Sequence, residues 1–210
     1  MERIRITYSK TAGLRYTSNL DLHKIWERSL RRARLPLAYS QGFHPQPKLT
    51  QACPLPLGMT SRAEVIEVWL ETEIEHAAFI ASIQPALPPG LELQSIETID
   101  LTAPSLPAQV VSAEYIVTLL DPEDAAQLRQ RVAQMLEAVE IRREIRGKQV
   151  DMRPLIEGIE ILTPDEQGRL RLTMRLAARE GATGRAEQVM AALGYDPFDA
   201  RVERVKLYFK

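Results

Sequence analysis

Arg3-Ile4-Arg5-Ile6-Thr7-Tyr8 alternates polar and apolar side chains, the period of a strand with one buried face. Ser18 and Asp21 have capping-box spacing. Leu22, Ile25, Trp26, Leu30 and Ala33 then recur at helical spacing, which predicts an amphipathic helix over 19–34, stopped by Leu35-Pro36. Residues 37–57 are extended but broken by Gly42, Pro45, Pro47, Pro54 and Pro56. Alternation returns over 63–71, with Ile66, Val68 and Leu70 on one face. A second helix is predicted over 73–86, ended by Pro88-Pro89-Gly90, and a strand over 91–99.

The composition of residues 102–108 is that of a linker, after which a similar order repeats. Strands are predicted over 114–120, 141–150, 169–177 and 202–209, helices over 122–138 and 184–193, and a short helical turn over 154–158. The expected fold is α+β, two tandem ferredoxin-like (βαββαβ) units, each burying one sheet face under two helices. Residues 1–101 form the first, 102–112 the linker and 113–210 the second.

These elements decide which charges face outward. The chain has 27 basic and 28 acidic residues, a net charge of −1, but residues 1–50 hold ten bases against three acids and residues 51–100 one against eight. With Ile4 and Ile6 inward, Arg3 and Arg5 point out beside Glu67, Trp69 and Glu71 of the neighbouring strand, so Arg–Glu cross-strand pairs are expected. Helix 19–34 differs, because Lys24, Arg28, Arg31 and Arg32 form one stripe, offset only by Asp21 and Glu27. In the second unit, Arg169, Arg171, Arg175, Arg204, Lys206 and Tyr208 point outward, and Arg142, Arg143, Arg146 and Lys148 add cations nearby. A solvated charged face accounts for such runs, and so does phosphate binding, since guanidinium forks fit phosphate oxygens.

Tyr39-Ser40-Gln41-Gly42-Phe43-His44-Pro45-Gln46-Pro47-Lys48 reads as a rigid loop, with His44 and Lys48 flanking its turn and Phe43 beside them. Three scattered histidines and the single Cys53 have no metal-ligand spacing, and no cofactor fingerprint is present, so none is expected. Cys53 reads as a small core residue. One cysteine and no long apolar run make a reduced, cytoplasmic setting away from membranes the default.

Four blocks of this sequence resemble the radical-SAM-linked protein family, a bacterial domain of unknown function. They are Lys10-Thr11-Ala12-Gly13-Leu14-Arg15-Tyr16-Thr17-Ser18-Asn19-Leu20-Asp21, Glu27-Arg28 with Arg31-Arg32, Leu35-Pro36-Leu37-Ala38-Tyr39-Ser40-Gln41-Gly42-Phe43-His44-Pro45, and Pro54-Leu55-Pro56-Leu57-Gly58. Lys148-Gln149-Val150-Asp151-Met152-Arg153-Pro154-Leu155-Ile156 is similar to a second motif of that family. Asn19 and Gln46 stand where that family often has His, which speaks against a histidine-based metal or acid–base site. Members are fused to, or encoded beside, a radical SAM protein with a cobalamin-binding-like domain. A chain with one cysteine lacks the three-cysteine cluster motif, so the resemblance implies the companion and not the catalyst.

Three readings follow. In the first, the chain is a non-catalytic adaptor that binds structured RNA or the partner's substrate. Lys24, Arg28, Arg31, Arg32, His44 and Lys48 form one surface, and Arg153, Arg169, Arg171, Arg175 and Arg204 a second. In the second, it is a metal-independent RNA-processing endonuclease with His44 or His23 as general base. In the third, it is a protein-binding subunit anchored by Trp69.

Overall fold

Ile4, Ile6 and Tyr8 are buried on one face of β1 (Glu2–Lys10), as their alternation requires. The computed structural model describes every residue except Arg146, and the side chains of all but Arg146, Ile145 and Lys148. The chain is α+β and divides into two compact units, Met1–Val110 and Val111–Lys210.

In the first unit, β1 is followed by α1 (Asn19–Arg32), β2 (Leu49–Gln51), β3 (Thr60–Leu70), α2 (His76–Ile83), β4 (Leu91–Ile99) and α3 (Leu106–Gln109). The strand order is β4-β1-β3-β2, with these neighbours antiparallel, Ile4 opposite Val68 and Ile6 opposite Ile66. Ser18 caps α1, its Oγ accepting the Asp21 N–H at 3.1 Å. Leu22, Trp26 and Leu30 pack onto Ile4, Ile6, Tyr8, Ile66, Val68 and Leu70, and Phe79 and Ile83 of α2 close the same core. Tyr8 meets Trp26 edge-on, ring centroids 4.8 Å apart.

Glu67 receives both arginines of β1, as the cross-strand expectation has it. The exposure of that face is corrected. Arg3 is 2% exposed and Glu67 0%, because residues 100–109 lie over them. Arg3 donates to the carbonyls of Ala103 and Pro104, each at 2.8 Å, and Arg5 to the Gln109 side-chain oxygen at 2.9 Å. The stretch read as linker supplies this cover, with α3 at its end.

The second unit holds β5 (Val110–Leu119), whose first residue closes the first unit, then α4 (Ala125–Glu137), β6 (Arg142–Ile145), β7 (Lys148–Asp151), β8 (Ile156–Leu162), β9 (Arg171–Arg179), β10 (Ala182–Thr183), α5 (Ala186–Ala192) and β11 (Ala200–Phe209). Its strand order is β11-β5-β9-β8, with β10 also on β9. Ala113, Tyr115 and Val117 of β5 and Leu172, Met174 and Leu176 of β9 are buried, as are Leu128 and Val132 of α4 and Val189 and Met190 of α5. One expectation is corrected. Residues 141–150 do not form a single strand of the sheet; they fold as a separate β6–β7 hairpin, and β8 takes the place in the sheet. A register break between Ile156 and Gly158 spoils the two-residue period that would have announced β8. Cys53, expected in the core, is only partly buried.

Candidate functional site

The apolar stripe of α1 lies on the sheet, so the opposite stripe has no choice but solvent. Lys24, Arg28, Arg31 and Arg32 are all exposed there. Arg31 pairs with Glu27 one turn back at 2.8 Å, whereas Lys24, Arg28 and Arg32 carry no ion pair among the described residues. Arg34 extends the patch past the helix end, held at φ 55° in the left-handed region. His23 is half-buried beside this stripe, with no catalytic partner among the described residues.

The chain then leads straight into the rigid loop. Tyr39 bridges to Pro47, the Ser40 N–H donates to the Gln46 carbonyl at 2.8 Å, and the Gln46 N–H to Ser40 Oγ at 3.0 Å. The Lys48 N–H returns to the Ala38 carbonyl at 2.8 Å. Gly42 turns the tip at φ 132°, a conformation that side-chain-bearing residues rarely adopt. Phe43 and His44 stand in solvent at that tip. The loop is tied to the helix by the Arg31 guanidinium, 5.9 Å from the centroid of the Tyr39 ring. Lys24, Arg28, Arg31, Arg32, His44 and Lys48 therefore all belong to two consecutive, directly connected elements of the first unit.

The second cationic surface is not free. Arg175 pairs with Glu157 at 2.9 Å and stacks on Tyr208, 3.9 Å from the ring centroid. Glu157 also accepts from Ser112 at 2.7 Å, and Glu114 accepts from Tyr208 at 2.5 Å and from Thr173 at 3.2 Å. The Glu114 hydrogen bond, with burial second, holds the Tyr208 phenol above its usual range. Arg169 precedes β9 and is tied to Asp165 at 2.7 Å, which holds that carboxyl below the usual range. Arg171 remains half-exposed, its Nε on the Thr163 carbonyl at 3.1 Å. Arg204 is corrected outright, being 1% exposed. Alternation alone could not show this, because β11 buries residues of both faces, Val202 and Arg204 on one and Leu207 on the other.

Arg153 is also committed internally. It donates to the carbonyls of Leu136, at the end of α4, and Ile156, at 2.9 and 3.0 Å. Asp151 accepts the N–H groups of Ile141 and Arg153, which hold its carboxyl below the usual range. The second family-like motif is thus a structural knot where the hairpin leaves α4. Arg142 pairs with Glu140 at 2.6 Å, and Arg143 lines a shallow cleft of about 720 Å3 between the hairpin and α5. Arg146 and the side chain of Lys148 lie outside the described residues. Trp69 is half-buried with the Arg3 guanidinium 5.1 Å from its ring centroid, so it is already partly covered from within.

Two features escaped the sequence reading. One is the complete exposure of Phe43, and the other is a signal that was present: no Asp or Glu occurs between Glu27 and Glu64, while that interval holds six Lys and Arg residues. Among the described residues no cluster of His, Cys, Asp or Glu could hold a metal ion, and no helix is long and apolar enough to cross a membrane.

Residues 3–186 match a family described as "Uncharacterized protein conserved in bacteria" (DUF2344). No curated protein matches the sequence. Among solved structures, the chain is similar to one in the crystal structure of a Cbf5-Nop10-Gar1 complex, at 14% identity and a TM-score of 0.50, covering 97% of this chain and 48% of that one. It is also similar to one in the archaeal box H/ACA sRNP Nop10-Cbf5 complex, at 13% identity and a TM-score of 0.47, covering 96% and 46%. The chain spans about half the length of these structural relatives, and the first likeness shows the fold alone.

Proposed function

From a chain that belongs to this bacterial family (DUF2344), we propose a non-catalytic RNA-binding protein that grips phosphates through α1 and the loop at 39–48. The observation that carries this reading is the stripe of Lys24, Arg28 and Arg32, exposed and without an ion pair among the described residues, continued by Arg34 and Lys48 in an acid-free stretch. Unneutralised guanidinium groups on a fixed helix face suit phosphate oxygens, and a local positive field attracts a polyanion whatever the net charge. The Arg153–Arg204 set takes little part, since internal carboxylates and carbonyls occupy most of it. We read each unit as ferredoxin-like, on the shared strand order fourth-first-third-second.

The companion role beside a radical SAM enzyme, in the cytoplasm, is part of the same proposal. Its support is the resemblance of Lys10–Gly58 and Lys148–Ile156 to that family's motifs. The test of RNA binding is a filter-binding titration with bulk tRNA at low salt. The whole chain binds, and the variant combining Lys24→Ala, Arg28→Ala and Arg32→Ala binds at least 10-fold more weakly. No binding by the native chain, or equal binding by the variant, overturns the reading. Co-purification from the native cell with a cobalamin-type radical SAM protein is the corresponding test of the companion role, which fails if none is recovered.

A further inference from the structure

Phe43 is the most exposed large apolar side chain among the described residues, at 101% of its reference area. Exposure alone does not mark a site, since Phe198 is 91% exposed as well; Phe43 differs in sitting on a closed loop that follows the cationic helix. Here the loop prevents burial. The Tyr39–Pro47 bridge and the two Ser40–Gln46 hydrogen bonds close its root, and Pro45 and Pro47 restrict the descending arm. Gly42 turns the tip at a backbone angle other residues rarely adopt, and Phe43 beyond it stands in solvent. The closed root narrows the backbone freedom of the tip, so part of the ordering cost is already met before a partner arrives.

The surroundings select the partner. Between Glu27 and Glu64 there is no carboxylate, and Arg28, Arg31, Arg32, Arg34 and Lys48 flank the loop in sequence. The Arg31 guanidinium also lies over the loop's own Tyr39 ring, 5.9 Å from its centroid. A ligand that is both polyanionic and rich in flat, stackable faces satisfies ring and cations together. Unpaired nucleotides are such a ligand, whereas a duplex hides its base faces in the stack.

Resting on the RNA reading above, we infer that Phe43 is a stacking finger that takes one unpaired base while α1 holds the adjoining phosphates. The site therefore prefers single-stranded or looped RNA to a continuous duplex. His44, next to it, is also exposed at the tip.

The test uses the full chain and two fluorescein-labelled probes, a 12-nucleotide single-stranded RNA and a 12-base-pair RNA duplex, at low salt. The single strand is bound more tightly by the native protein. Phe43→Ala weakens single-strand binding by about 10-fold, the scale of one lost base–aromatic stack, and leaves duplex binding unchanged. Phe43→Trp retains the affinity, and its added emission, measured against the native protein's Trp26 and Trp69 background, is quenched by the single strand alone. Circular dichroism checks that both variants stay folded, as expected for a side chain that contacts nothing in the fold. Unchanged single-strand affinity in Phe43→Ala overturns the stacking finger while the phosphate-binding reading stands, and would point the ring toward a protein pocket. An equal loss on both probes overturns it too. If the native protein binds neither probe, the reading beneath fails with it.

Discussion

A single carboxylate, Glu67, serves two guanidinium groups where almost no water reaches. Arg3 reaches one oxygen with Nε and Nη2 at 2.8 and 2.6 Å, and Arg5 the other at 3.0 and 2.8 Å. Removing the shared partner leaves a buried charge uncompensated, a far larger loss than the net worth of the pair. Glu67→Ala should therefore lower unfolding stability by about 3–5 kcal/mol, read from the urea midpoint. Replacing both ends, Arg3→Met with Glu67→Leu, should recover part of that loss, because no lone charge is left at Arg3. A midpoint for Glu67→Ala within error of the native one would show that water reaches the pair. The pairing itself was legible, since Arg5 and Glu67 stand directly opposite in register. Its burial was not, because the cover comes from residues about a hundred positions away, in a stretch whose Pro, Ser and Thr content signals only irregular chain. The same blindness applies to Arg204, whose alternation shows a face but not what lies on it.

Among the elements, those with unbroken periods were legible and those that break a period were not. Helix α1 and strands β1 and β3 fall within a few residues of their predicted bounds, since long stripes survive errors at their ends. The bulge of β8 hides its period, and the β6–β7 hairpin has the sequence pattern of one strand, with only Gly147, at φ 75°, to signal its turn. That hairpin depends on Asp151, whose carboxylate accepts from Ile141 at 2.9 Å and Arg153 at 3.0 Å on either side of it. Those two N–H groups favour the ionised form, so the folded carboxyl titrates below its ordinary 3.8. A depressed folded value contributes stability that is fully present above 3.8 and is lost as the pH falls through the folded value. Asp151→Ala should thus be less stable than the native chain at neutral pH, with the gap closing in acid below 3.8. Urea midpoints taken at pH 7 and pH 2.5 check this. A gap that stays constant across that interval would mean the side chain matters by packing and not by charge.

At the scale of the whole molecule, a net charge of −1 conceals one stretch with no negative side chain at all. Opposite signs in residues 1–50 and 51–100 meet within the first unit, where Glu67 takes Arg3 and Arg5 and Glu97 approaches Arg5 at 3.5 Å. What remains after this internal neutralisation is concentrated on α1 and the loop that follows it. The sequence presented two cationic surfaces of equal standing, and only coordinates could rank them, because the difference lies in where Glu114, Glu157 and Asp165 are brought by strand pairing and turns. If the surviving surface contacts phosphates, each contact displaces a counterion, and affinity falls linearly with salt on logarithmic axes, by about 0.7 per contact for single strands and 0.9 for duplex. Neutralising Lys24, Arg28 and Arg32 together should therefore make the slope shallower by about 2 for a single-stranded RNA. Changing Arg169, Arg171 and Arg175 to Ala removes the same formal charge but takes it from side chains already held by Asp165, the Thr163 carbonyl and Glu157, so the slope should scarcely move. Equal changes from the two triplets would mean that RNA senses only total charge, and the ranking of surfaces drawn from their ion pairs would be wrong.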